Sequence, residues 1–185
     1  MGDTENAARS QFLSFVVGDG QYAVPIREVR EILQYDGVTR VPGAPRSIRG
    51  VINLRGSVVP VVDVAVKFGR PEIAPTRWTC ILVVEARLGE AAMQVGLLAD
   101  SVREVLELRA DEIEPTPSLG TGANVDYLVG MGKVSKGFVL LVDVDRLLSA
   151  EEKAFDAEAE LAGQAAGAVP PPEIAPQAQA GGAPV

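Results

Sequence analysis

The chain has no histidine, a single cysteine (Cys80) and an aromatic content of only 5%. Without histidine, and with one thiol, Cys/His zinc sites, Ser-His-Asp triads, Cys-His dyads and a phospho-accepting histidine are all excluded. A lone cysteine forms no disulfide within the chain, so it is silent on secretion. Long hydrophobic runs are also missing. The longest mostly apolar stretch, Ser57 to Val66, is far too short to span a bilayer. Met1 to Ser10 is polar and lacks the apolar core of a secretory signal. These absences predict a soluble cytoplasmic protein with no catalytic residues, no cofactor and no metal.

The net charge of −8 is unevenly spread: residues 1–70 carry +2, residues 71–148 carry −5 and residues 149–185 carry −5. Nucleic-acid binding needs clustered cations to displace counterions, and this asymmetry argues against it. An electrostatically oriented protein contact fits better, with Arg27, Arg30, Arg40, Arg46, Arg49 and Arg55 on the first half. A solvated face accounts equally well for any one of them.

What the chain does contain is a repeat. Val29-Arg30-Glu31-Ile32-Leu33 recurs as Val102-Arg103-Glu104-Val105-Leu106. Ile48-Arg49-Gly50, Arg55-Gly56 and Val62-Asp63-Val64 recur as Leu128-Val129-Gly130, Lys136-Gly137 and Val142-Asp143-Val144. The offset is 73 residues for the first pair, 80 for Gly50/Gly130 and Asp63/Asp143, and 81 for Gly56/Gly137. Two similar half-units packed together are the simplest cause.

The elements agree with a β protein. Gln11 to Val17 and Tyr22 to Val24 read as strands around a Gly18-Asp19-Gly20 turn. Pro25 to Leu33 fits either a helical turn or a turn entering a strand. Pro45 to Arg49 reads as one helical turn. Val51 to Leu54 and Ser57 to Val64 form a hairpin turning at Arg55-Gly56, and Pro60 marks an edge or a bulge. Trp78 to Glu85 and Ala92 to Leu98 are strands joined through Arg87-Leu88-Gly89-Glu90; Tyr127 to Val144 is a hairpin turning at Lys136-Gly137. Ser149-Ala150-Glu151-Glu152 is a capping box that predicts a C-terminal helix over 149–162. The Ala/Pro/Gly-rich residues 163–185 cannot bury a core and are expected to be disordered, as is an N-terminal arm over 1–10. Residues 11–148 are expected to form the folded domain, with two intertwined lobes over roughly 11–70 and 71–148.

Catalytic motifs fail on inspection. Gly18-Asp19-Gly20, Gly120-Thr121-Gly122 and Gly130-Met131-Gly132 do not extend to G-x-G-x-x-G, and Gly132-Lys133 is followed by Val134, so all three read as turns. Asp63 and Asp143 occupy equivalent repeat positions, which favours a cap over an acid-base pair. Cys80, in an apolar strand, reads as a small buried hydrophobe.

The block Val41-Pro42-Gly43-Ala44-Pro45-Arg46-Ser47-Ile48-Arg49-Gly50-Val51-Ile52-Asn53-Leu54-Arg55-Gly56, continuing Ser57-Val58-Val59-Pro60-Val61-Val62-Asp63-Val64, closely resembles the signature of the CheW family, the bacterial chemotaxis coupling proteins. Phe12-Leu13-Ser14-Phe15, Tyr22-Ala23-Val24, Val29 to Leu33 and Tyr127-Leu128-Val129-Gly130 share the resemblance, which covers roughly residues 11–150. It implies an all-β fold of two pseudo-symmetric five-stranded barrels of Src-homology-3 type. It also implies a free-standing adaptor that couples chemoreceptors to a CheA-type histidine kinase. The protein would be cytoplasmic, recruited to receptor arrays, and in touch with the membrane only through receptors. An adaptor for twitching, gliding or gene regulation carries the same motifs. A small-ligand-binding barrel is a weaker alternative, because few aromatics are present to line a pocket.

Carried over residue by residue, the resemblance puts the receptor's helical hairpin tip in the apolar groove between the two barrels, against Val29, Glu31, Ile32, Arg55, Cys80 and Ile81. The kinase's regulatory domain would pack on Val38, Thr39, Arg40 and Val41, with Gly50 allowing its close approach. A second kinase face, which closes rings, maps to Glu114, Ser118 and Leu119. There the chain departs from the family pattern: Glu114 stands where a basic residue is common, and Ser118-Leu119 replaces an acidic-aromatic pair.

Overall fold

The structure, a computed structural model, describes residues 9–88, 90–116 and 126–148. The loop glycines Gly120 and Gly122, the second-face residues Ser118 and Leu119, and the residues of the expected C-terminal helix and tail lie outside them. In chain order the elements are β1 (Ser10–Val17), β2 (Gly20–Pro25), β3 (Val29–Gln34), β4 (Ile48–Leu54), β5 (Ser57–Asp63) and α1 (Val64–Lys67). They are followed by β6 (Cys80–Leu88), β7 (Ala91–Ala99), β8 (Ser101–Leu108), β9 (Ile113–Glu114), β10 (Leu128–Val134), β11 (Gly137–Val142) and α2 (Val144–Leu147).

The strands build two sheets. The first has the order β8-β1-β2-β11-β10-β9 and the second β3-β6-β7-β5-β4. Apart from the two-residue β9, the orders are identical when β1, β2, β8, β10 and β11 are matched to β6, β7, β3, β4 and β5. This is the repeat in three dimensions, with one twist. The β1-β2 hairpin of the first half sits in the sheet of the second half, and β6-β7 sits in the sheet of the first. Parallel pairing stitches each guest hairpin in, β2 to β11 and β7 to β5. Neither sheet is therefore confined to residues 11–70 or 71–148.

Local chemistry explains most of the elements. Arg55 and Gly56 both take positive φ, +53° and +91°, so the β4-β5 hairpin closes on two left-handed residues as a type I′ turn does. Pro60 lies in an interior strand, opposite Val51 and one residue before the parallel ladder to β7 begins at Val61. Pro25 to Leu33 resolves into a single 3₁₀ turn, Ile26–Glu28, that runs into β3. Pro45 to Ile48 is one hydrogen-bonded turn, the Ile48 N–H donating to the Pro45 carbonyl (2.8 Å), and it goes no further because β4 starts at Ile48. The N-terminal arm ends earlier than residue 10, since Ser10 opens β1 opposite Leu108.

Gly130 and Gly132 lie inside β10 and not in a turn. A Cβ on Gly130 would stand 2.9 Å from Ile113 Cγ2 and 3.1 Å from the Glu114 carbonyl, so the missing side chain makes room for β9. Gly50 does the same in the other sheet. There the segment after β3 crosses to β4, with Thr39 and Val51 exchanging two backbone hydrogen bonds (2.9 and 2.8 Å). A Cβ on Gly50 would lie 2.5 Å from the Thr39 carbonyl oxygen.

One apolar cluster runs through both sheets, from Leu13, Phe15 and Val24 to Val61, Leu82 and Leu97. Four stacked rings, Phe15, Tyr22, Phe68 and Tyr127, cross it at centroid spacings of 6.0, 4.5 and 5.1 Å. Within it lies a charged knot. The Asp63 carboxylate, 1% exposed, accepts from the Ala65 and Val66 amides of α1, from the Ile73 amide (2.9 Å) and from Arg49 Nη1 (2.6 Å). Arg49, whose side chain is 9% exposed, also donates to the Ile73 carbonyl (2.7 Å). Arg49 thus leaves the set of surface arginines: it is structural. Asp143 caps α2 through the Arg146 amide, as its repeat position implied, but Val129 stands where Arg49 does.

Two outcomes follow for stability. Arg49→Met strands a buried carboxylate and should cost about 3–5 kcal/mol in urea unfolding. Gly50→Ala meets backbone and should cost about 1–3 kcal/mol, more than Gly130→Ala, whose nearest neighbour is a movable methyl. Equal midpoints for the two glycine variants would contradict the Thr39 crossing.

Candidate functional site

β3 is an edge strand, and its side chains alternate. Val29, Glu31 and Leu33 are half-buried toward the core, while Arg30, Ile32 and Gln34 face solvent, Ile32 being 46% exposed. Across from this strand rises the β4-β5 hairpin. Its tip residue Arg55 is 79% exposed and places Nη2 3.1 Å from Glu31 Oε1. On the same two elements, Leu33 and Leu54 are half-buried and pack against the large core cluster. The result is an apolar strip with a carboxylate and a guanidinium at its rim. Sequence reading missed Leu33 and Leu54, although their repeat partners Leu106 and Val134 are the signal that could have found them.

Arg55 is the only non-glycine residue with positive φ among those described. The left-handed region costs an ordinary L-residue roughly 1–2 kcal/mol, and Asn or Gly would occupy the position more cheaply. A large cation held there points to use of the side chain.

The structure places Val29, Glu31 and Arg55 on one side of β3 and Ile32 on its other, solvent-facing side. It does not place Cys80 and Ile81 with them: both are buried in the core cluster, 7% and 2% exposed, because β6 is an inner strand flanked by β3 and β7. Burial pushes the Cys80 thiol up to about 11, and the Asp100 carboxylate adds to the rise.

Val38, Thr39, Arg40, Val41 and Gly50 do come together, but not as a surface opened by Gly50. Gly50 is buried beneath Val38 and Thr39 of its own chain, so its close approach is intramolecular. What remains outside is Thr39 and Arg40, with the Arg40 guanidinium 3.9 Å from Glu72 beside a shallow depression walled by Pro42, Pro45 and Arg46. On the other sheet, Glu114 is paired to Lys133 (2.6 Å). Among the described residues no group of three or more potential ligands could hold a metal, and no helix is long and apolar enough to cross a membrane.

Native Cys80 should resist alkylation at pH 8. Little thiolate exists three units below a pKa of about 11, and the group is buried. Mass spectrometry after iodoacetamide treatment should find the folded protein unmodified and the urea-unfolded protein fully labelled.

The family model for the CheW-like domain matches residues 11–152. Chemotaxis protein CheW of Klebsiella aerogenes is 38% identical over 145 residues, 78% of this chain and 85% of the relative. Protein FrzA of Myxococcus xanthus is 31% identical over 127 residues, 68% of this chain and 75% of its own length. Among solved structures, the scaffolding protein TtCheW from Thermoanaerobacter tengcongensis superposes with a TM-score of 0.69 at 27% identity, covering 78% of this chain and 95% of that one.

Proposed function

Because this chain belongs to the CheW family, a family of chemotaxis scaffolds, we propose that it is a non-catalytic adaptor joining chemoreceptors to a CheA-type histidine kinase. The observation that carries the reading is Arg55, a solvent-facing cation held in a left-handed turn over an apolar strip and tied to Glu31. Such a strip suits the apolar face of a helix, with Glu31 and Arg55 setting its orientation. The receptor's cytoplasmic hairpin tip is the helix proposed, contacting Val29, Glu31, Ile32 and Arg55 with Leu33 and Leu54 beneath. The kinase's regulatory domain is proposed to meet the separate patch around Thr39 and Arg40, with Val38 and Val41 supporting it. The protein would act in the cytoplasm, recruited to receptor arrays through these two contacts.

Arg55→Glu should weaken binding of a receptor hairpin fragment by about tenfold at low salt, which corresponds to about 1.4 kcal/mol. Kinase binding and melting temperature should stay unchanged, since the side chain is exposed. Arg55→Asn, which installs an Asn-Gly turn, should keep or raise the melting temperature while binding receptor less well. Wild-type receptor affinity in both variants would remove Arg55 from the contact.

A further inference from the structure

Trp78 is the chain's only tryptophan and, at 65%, the most exposed large apolar side chain among the described residues. It stands on the turn that leads into β6, and that turn is closed on itself. Thr79 is buried; its hydroxyl accepts the Thr76 N–H (2.8 Å) and its own N–H donates to the Thr76 carbonyl (3.1 Å). The Thr76 hydroxyl accepts the Trp78 N–H (3.1 Å). The Arg77 guanidinium lies over the indole, 4.7 Å from the ring centroid, as a cation–π contact. The turn therefore holds an indole and a guanidinium out in water, and these are the side chains that contribute most where proteins bind.

Its place is set by β3. Gln34 pairs with Cys80, and one step further the Tyr35 N–H donates to the Thr79 carbonyl (3.0 Å), so Trp78 stands just past the end of β3. Ile32 pairs with Leu82 and Gln34 with Cys80, which puts Ile32, Gln34 and Cys80 on one side of the sheet. On that side Cys80 meets the start of β8, where the Val102 N–H and the Asp100 carboxylate both act on its thiol. Val102 and Asp100 also line, with Trp78 and Arg103, a cavity of about 450 Å³. The exposed side chain of Ile32, this cavity and Trp78 thus follow one another along the same side of β3.

We propose that Trp78 and Arg77 are a further contact for the receptor's hairpin tip, one helix of which lies along β3 and sets an apolar side chain on the indole. The inference rests on the receptor contact proposed above and lengthens it. From Glu31 to Tyr35 the strand advances about 13 Å, at about 3.3 Å per residue. An α-helix covers that distance in about nine residues. A helix that meets Glu31 and Arg55 with one turn therefore reaches Trp78 two to three turns on. Charge fits the same occupant. Arg77 and Arg103 are exposed and make no ion pair among the described residues. Asp100, the carboxylate lining the cavity, accepts the Gly18 N–H (2.6 Å). The receptor helix therefore carries an acidic side chain beside the apolar one. Burial of the indole supplies affinity, and the exposed arginines make that affinity fall with salt.

The test uses the full chain grown with a fluorinated tryptophan, so that Trp78 alone gives the fluorine NMR signal. A soluble fragment carrying the cytoplasmic hairpin tip of a chemoreceptor should shift that signal, saturating together with binding followed by sedimentation. The kinase's regulatory domain should leave it in place. Trp78→Ala should weaken receptor binding by about tenfold and Trp78→Phe by less, since the ring is kept. Arg77→Glu should weaken it more at low salt than at high. The core is untouched in all three, because both side chains are exposed. Suppose the fragment binds and Arg55→Glu weakens it, yet the fluorine signal stays put and Trp78→Ala binds like the wild type. That result overturns the Trp78 contact and leaves the proposed function standing. A signal that moves only with the kinase domain also overturns it, by giving Trp78 to the other partner. No receptor binding by the wild type overturns both.

Discussion

The Asp63 carboxylate sits where water cannot reach it, and three parts of the chain close around it: Arg49 of β4, the opening amides of α1 and the Ile73 amide, while the same arginine donates to the Ile73 carbonyl. The net energy of such a pair is modest, since desolvation offsets most of the attraction. Its geometric effect is larger. It locks the base of the β4-β5 hairpin, and that hairpin carries Arg55 at its far end. It also fixes β4 as the strand onto which the Thr39 crossing closes. Receptor strip and kinase patch, as proposed, therefore share one buried anchor that touches neither partner.

The repeat is imperfect at this anchor. Val129 replaces Arg49, Asp143 keeps only the capping half of the role of Asp63, and its partner Arg146 lies on the surface at 3.5 Å. The first half has spent a buried charge pair on rigidity. The second half has kept the strand order and the glycine beneath the crossing segment. Function in such a duplicated fold can diverge by loosening one copy while the scaffold stays common to both.

Much of this was legible from residues. The repeat gave the matched halves, the paired aspartates gave the caps, and Arg55-Gly56 gave the turn. What was not legible depends on contacts distant in sequence. Gly50 and Gly130 look like turn or interface glycines until the segments that cross them, Thr39 and Ile113-Glu114, are in place. Arg49 reads like its five exposed neighbours because burial leaves no mark on a single letter. The resemblance put Cys80 and Ile81 at the receptor contact, yet on an inner strand both are core, as the apolar surroundings of Cys80 already suggested. The exchange of hairpins between halves has no local signature at all: periodicity is the same whichever sheet a hairpin joins.

That exchange sets an order of assembly on the ribosome. The second sheet has all its strands once Ala99 has emerged, but β1 and β2, made first, wait for β8 and for β11, which ends at Val142. For most of synthesis the earliest hairpin therefore carries two open edges and an apolar face, the state in which strands mispair or recruit other chains. Closure of nearly the whole chain in sequence before the first hairpin is satisfied also makes for slow folding. A nascent chain held at residue 99 would be half a protein with a finished sheet and a hairpin searching for its partners.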